Sequence, residues 1–77
     1  MFDNEELLEI LECIYEFNTD PTINDILAEL CLSKSKIMHY LDVLYLYKII
    51  EMDGNYIHLL KDYEEAYFVA STANLSY

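Results

Sequence analysis

The stretch Thr22-Ile-Asn-Asp-Ile-Leu-Ala-Glu-Leu-Cys-Leu-Ser-Lys-Ser-Lys-Ile-Met-His-Tyr-Leu41 decides the fold. Thr22, followed three residues later by Asp25, has the form of a capping box with Asp in the place usually taken by Glu. It predicts a short helix over about Ile23 to Leu30. Cys31 and Leu32 leave room only for a tight connection. Ser33 then offers a side-chain oxygen to the free N–H groups of a longer helix from about Lys34 to Tyr47. At about 100° per residue, Ile37, Leu41 and Leu44 form the core line of that helix.

Working outward, Asn4 can cap a first helix of about Glu5 to Phe17, with Glu5 and Glu6 where the positive end of the helix dipole favours them. Leu7, Leu8, Leu11, Ile14 and Tyr15 share its core face. Asn18 to Pro21 reads as a loop. Beyond Tyr47 the period changes, because Ile49 to Met52 and Asn55 to Leu60 are β-prone runs flanking Asp53 and Gly54, the signal of a hairpin. Asp62 can cap a last helix of about Tyr63 to Ala70, with Tyr63, Ala66, Tyr67 and Ala70 on one side. The segment Ser71 to Tyr77 is expected to be a frayed, disordered tail after a single domain of residues 1–70.

Composition excludes several classes of function. The 77 residues carry 15 Asp plus Glu against 4 Lys and no Arg, for a net charge of −11. Apolar residues make up 55% and charged residues 25%, a balance that favours a folded globule over a disordered chain. One Gly and no Arg leave neither a phosphate-cradling loop nor a guanidinium clamp, which argues against a nucleotide enzyme. No apolar run reaches the length of a membrane span, and Met1 to Glu6 is acidic where a signal peptide is basic. The expectation is a cytoplasmic protein without a membrane or small-molecule partner. Two cysteines make no disulfide framework, so reduced thiols are expected.

The predicted elements and the residues of 22–41 resemble the winged helix-turn-helix superfamily, with Leu41 to Ile50 leading into the wing. The resemblance covers about residues 5–60. It implies a mainly α fold with a small β-hairpin: three helices, a wing and a short C-terminal helix. It also implies that Ala28 sits where the two central helices cross, that Leu32 anchors the turn and that Ser33 starts the recognition helix. Cys31 and Lys48 depart from it, since many members have Gly at both positions. Relatives touch DNA near the start of the recognition helix, which here offers Lys34, Ser35, Lys36 and His39, with Asn55 on the wing. A terminal helix often serves relatives as a dimer seam, which points to Tyr63, Ala66, Tyr67 and Ala70 for a homodimer.

Charge weighs against DNA as the main partner. Residues 1–30 carry nine acids and no Lys, residues 31–50 carry Lys34, Lys36 and Lys48 against Asp42, and residues 51–77 carry five acids and Lys61. With Lys34, Lys36 and Lys48 all on phosphates, the salt slope reaches only about −2.7 per protomer, against the repulsion of the whole acidic chain. Asp42 faces outward beside Ser35 and His39 and repels phosphate. Glu5, Glu9, Glu12 and Glu16 fall within an arc of about 60° on the first helix, with no Lys at i+3 or i+4. The plain reading of that stripe is a solvated face, and the functional reading is a docking surface for a basic protein, such as one that normally grips nucleic acid. Met38, Val43 and Leu46 lie off the core line of the third helix, to be covered by the wing, the last helix, a partner or a second copy.

Little in the sequence points to catalysis or metal binding. Cys13, Cys31, His39 and His58 lack any paired-ligand spacing, so no metal and no cofactor are expected. Cys13 projects away from the core side of its helix. A Cys–His nucleophilic pair needs a third orienting group and a cleft, which a domain of this size hardly offers. The expectation is a small, non-enzymatic regulator acting by protein contact, in transcription or a related nucleic-acid process. The alternative is a dimeric, sequence-specific DNA-binding regulator.

Overall fold

The computed structural model of the chain describes residues 2–75. Among them the order is α1 (Asn4–Glu16), α2 (Ile23–Glu29), α3 (Lys34–Leu46), β1 (Ile50–Asp53), β2 (Tyr56–Leu59) and α4 (Tyr63–Ser71). Side chains set most of the helix starts. In α2 the capping box closes in both directions, Asp25 N–H donating to Thr22 Oγ1 at 3.2 Å and Thr22 N–H to Asp25 Oδ2 at 2.8 Å. Ser33 accepts from Lys36 N–H ahead of α3, and Asp62 accepts from Glu65 N–H ahead of α4.

The cap of α1 falls one residue earlier than expected, on Asp3, whose Oδ1 accepts from Glu6 N–H at 2.8 Å. Asn4 is used elsewhere: its amide donates to the carbonyls of Ala70 (2.9 Å) and Ala73 (3.2 Å), satisfying acceptors at the far end of α4. One side chain thus ties the first turn of the chain to its last helix.

The end of α3 explains how the chain turns into the hairpin. Ile49 N–H donates to Leu44 O at 2.9 Å and Lys48 N–H to Tyr45 O at 3.0 Å, the paired bonds of a Schellman motif. That motif needs a left-handed residue, and Lys48 supplies it at φ 60° although Gly would fit without strain. Cys31, the other position where Gly was missed, has no such φ. β1 and β2 are antiparallel, pairing Ile50 with Leu59 and Asp53 with Tyr56. The two-residue turn is therefore Gly54-Asn55, one step later than the expected Asp53-Gly54, with Gly54 at φ 62° in the first loop position, where a II′ turn takes glycine. The free edge of β2 is partly covered, since Ile57 N–H donates to Pro21 O at 2.8 Å and Thr22 bridges to Tyr56.

The core is built from Leu7, Ile10, Leu11, Ile14, Ile26, Ile37, Tyr40, Leu44, Ile49 and Ile57, each at most 1% exposed. Each such aliphatic side chain contributes about 1.5–3 kcal/mol relative to an exposed position. Helix α1 packs on α4, α2 and α3, so a wider face is covered than one core line predicts. Cys13 is accordingly buried, while Leu8 and Tyr15 only pack at its margin. Val43 is also buried, at 1% exposure, and does not belong to an outward surface. Ala66 and Ala70 are fully buried within the chain, where their small size lets α4 approach its neighbours, so they cannot form an outer seam. Ala28, expected at the crossing of the central helices, is exposed, and Ile26 takes the inward place.

The expected fraying does not begin at Ser71. That residue ends α4, Ala73 is buried, Asn74 N–H donates to Tyr47 Oη at 2.9 Å, and Leu75 packs against the core. The rest of the expected tail, residues 76–77, lies outside the described residues.

Candidate functional site

Three surfaces, with the exposed tyrosines of α4 beside them, carry most of the residues singled out in the sequence. The first is the start of α3. Lys34 and Ser35 are exposed there, and Lys34 and Asn55 line one shallow hollow of about 300 Å³ with Thr22 and Met38, so the helix start and the hairpin turn do come together. Lys36 and His39 are occupied. The Lys36 ammonium lies 2.9 and 3.1 Å from the two carboxylate oxygens of Glu6, and the buried Tyr40 hydroxyl donates to the same Glu6 Oε1 at 2.5 Å. Asp3 N–H in turn donates to Tyr40 Oη at 3.0 Å. His39 stacks on Phe2 with ring centroids 3.9 Å apart, and its Nε2 is 3.1 Å from Leu75 O.

Titration follows from this packing. The Tyr40 hydroxyl, and then the Lys36 ammonium, hold the Glu6 carboxyl below its ordinary range. Burial, reinforced by the hydrogen bond to Glu6, pushes the Tyr40 phenol up to about 12. The cluster clamps α1 to α3 and withdraws one of the three cations of residues 31–50 from any outside partner.

The second surface is acidic. Glu5, Glu9, Glu12 and Glu16 are all exposed along α1. Glu9, Glu12 and Glu16 line an open groove of about 420 Å³, joined from α2 by Glu29, with Cys13, Phe17 and Leu30 completing its walls. Glu5 stands outside it. Glu12 also accepts from Tyr63 Oη at 3.3 Å. Burial, with Glu29 and Glu16 nearby, raises the Cys13 thiol. Sequence reading missed Glu29, because only the packing of α2 on α1 brings it beside a stripe thirteen residues or more away.

The third surface is the outward side of α3. Met38 and Leu46 are exposed, covered by neither the wing nor the last helix, and Tyr45 joins them at 56% exposure. Its spacing of seven from Met38 was the available signal. On α4, Tyr63 and Tyr67 are exposed with rings 5.7 Å apart, and Tyr15 meets Tyr63 edge-on at 5.2 Å. Burial, and then Glu12, raise the Tyr63 phenol.

Among the described residues no three His, Cys, Asp or Glu side chains gather where they could hold a metal ion. Cys13 is buried, Cys31 is exposed, and His58 Nδ1 lies 3.0 Å from Asp20 Oδ2. No helix among the described residues is long and apolar enough to cross a membrane. No family model matches the chain, and neither a curated protein nor a solved structure matches it significantly.

Proposed function

We propose that the chain is a winged-helix regulator that works by protein contact, without enzymatic activity, inside the cell and within a nucleic-acid process such as transcription. The element order supports the fold reading: a helix, a capped helix pair, then a hairpin whose edge bridges back to Thr22 at the start of that pair. The observation that carries the functional reading is the groove between α1 and α2, whose lining combines Glu9, Glu12, Glu16 and Glu29 with the apolar side chains of Phe17 and Leu30. A groove lined by both carboxylates and apolar side chains suits a basic amphipathic segment, whose cations meet the glutamates while its apolar side chains pack on Phe17 and Leu30. Long-range attraction from a chain of net charge −11 speeds the encounter.

A labelled Lys-rich amphipathic helical peptide is the probe. Its affinity is expected to fall as salt rises and to drop at least about tenfold in the Glu9→Lys, Glu12→Lys double variant, with the circular dichroism of the domain unchanged. Equal binding by wild type and variant means that the stripe is merely solvated.

A second reading, a DNA-binding regulator, draws support from the hollow shared by Lys34 and Asn55. With Lys36 paired to Glu6, Lys34 and Lys48 are the cations of this region left for phosphates. The salt slope would then be only about −1.8. Under this reading Lys34→Ala weakens binding to every sequence and flattens that slope by about one.

A further inference from the structure

We infer that the outward face of α3 is the seam of a homodimer, with a twofold axis passing close to Tyr45. Two hollows meet at this residue. One, of about 460 Å³, lies between the end of α3 and the hairpin, beside Leu46, Lys48 and Leu60. The other, of about 290 Å³, lies beside Met38, Asp42 and Met52. Tyr45 lines both and is 56% exposed, so it is a ridge flanked by two depressions. A ridge with hollows on both sides is self-complementary about a twofold axis that runs beside it, where the two Tyr45 rings lie side by side and each enters a hollow of the other copy. Tyr suits the centre of such a seam, the ring burying area while the hydroxyl reaches the wet rim.

Charge selects a second copy as the occupant. Asp42 lies three residues before Tyr45 and Lys48 three after it, in opposite hollows. Antiparallel α3 helices crossing at Tyr45 bring each Asp42 toward the Lys48 of the other copy. Glu51 also lines the larger hollow, and its cross-strand neighbour is His58. Elsewhere two chains of net charge −11 repel, above all through the glutamates of α1. The two hollows beside Tyr45 hold Lys48 against Asp42 and Glu51, so two copies meet here with far less repulsion than along the glutamates of α1. This seam is separate from the α1–α2 groove, and either reading can fail alone.

Sedimentation equilibrium of the full chain, from about 1 μM to about 1 mM, tests the inference. The expected result is a monomer–dimer equilibrium that tightens as salt rises, because salt screens the repulsion between protomers, whereas peptide binding in the acidic groove weakens. Tyr45→Glu is expected to weaken the dimer at least about tenfold while leaving the circular dichroism intact. Asp42→Lys and Lys48→Asp should each weaken it, and together restore it; Asp is tolerated at the left-handed position of Lys48. Glu9→Lys with Glu12→Lys should leave the seam in place. A monomer over the whole range overturns the inference, as does a dimer indifferent to Tyr45→Glu. A double charge swap that fails to restore association overturns the twofold placement. A monomer that takes up an apolar helical peptide or duplex DNA on this face assigns it to another occupant and likewise overturns the proposal.

Discussion

Tyr40 and Tyr45 stand five residues apart on α3 and have opposite fates. Tyr40 is wholly buried, its hydroxyl donating to Glu6 and accepting from Asp3 N–H, while Tyr45 is 56% exposed between two hollows. The same side chain serves stability on one face and remains available for association on the other. What separates them is the cover that α1 provides. Where α1 packs, each polar group of the cluster finds a partner; where it does not, Met38, Tyr45 and Leu46 are left to solvent.

Substitutions on the two faces should therefore differ sharply. Leu44→Ala, on the inward face, is expected to cost about 2–5 kcal/mol, enough to unfold much of a domain of this size, as measured by urea denaturation. Tyr40→Phe leaves Asp3 N–H without its acceptor and removes one donor to Glu6, for a loss of about 1–3 kcal/mol in the same assay. Lys48→Gly relieves the left-handed φ and should raise stability by about 0.5–1 kcal/mol, seen as a higher melting temperature. Tyr45→Ala, on the outward face, should change the stability of the monomer by less than about 0.5 kcal/mol. Equal losses at Tyr40 and Tyr45 would erase the distinction between the faces.

The clamp also makes stability depend on pH at both extremes. Glu6 has a lowered folded pKa, so its contribution is complete above the usual carboxylate value of 4.5 and is lost as pH falls through the folded value. Tyr40 has a raised one, so its contribution is complete below the usual phenol value of 10.0 and is lost as pH rises through about 12. Denaturation midpoints measured across pH should show both limbs. Glu6→Gln should flatten the acid limb and Tyr40→Phe the alkaline one.

Local signals made much of this fold legible. Thr22 with Asp25, Ser33 and Asp62 mark helix starts within a few residues of chain, and the change of period after Tyr47 marks the hairpin. The misses share a cause in contacts distant along the chain. Asp3 and Asn4 are both good caps, and what diverts Asn4 is a pair of carbonyls 66 and 69 residues away. Val43 reads as outward from one core line, and it is buried because α3 is covered over a wider arc than that line implies. Ala66 and Ala70 pattern with Tyr63 and Tyr67 on one side of α4, yet the small pair turns inward and the large pair stays exposed. The acidic stripe of α1 was readable from spacing, whereas the part of the groove lined by Glu29 and Leu30 needed the packing of α2. The lysines were counted correctly, but the pairing of Lys36 with Glu6 across 30 residues was not visible.

The most direct test of the account is affinity capture from host lysate treated with nuclease, using the wild-type chain beside the Glu9→Lys, Glu12→Lys variant. A basic protein is expected to stay bound to the wild type after nuclease and to be lost from the variant. Capture that vanishes with nuclease, with duplex DNA retained equally by both chains at about 0.15 M salt, would contradict it.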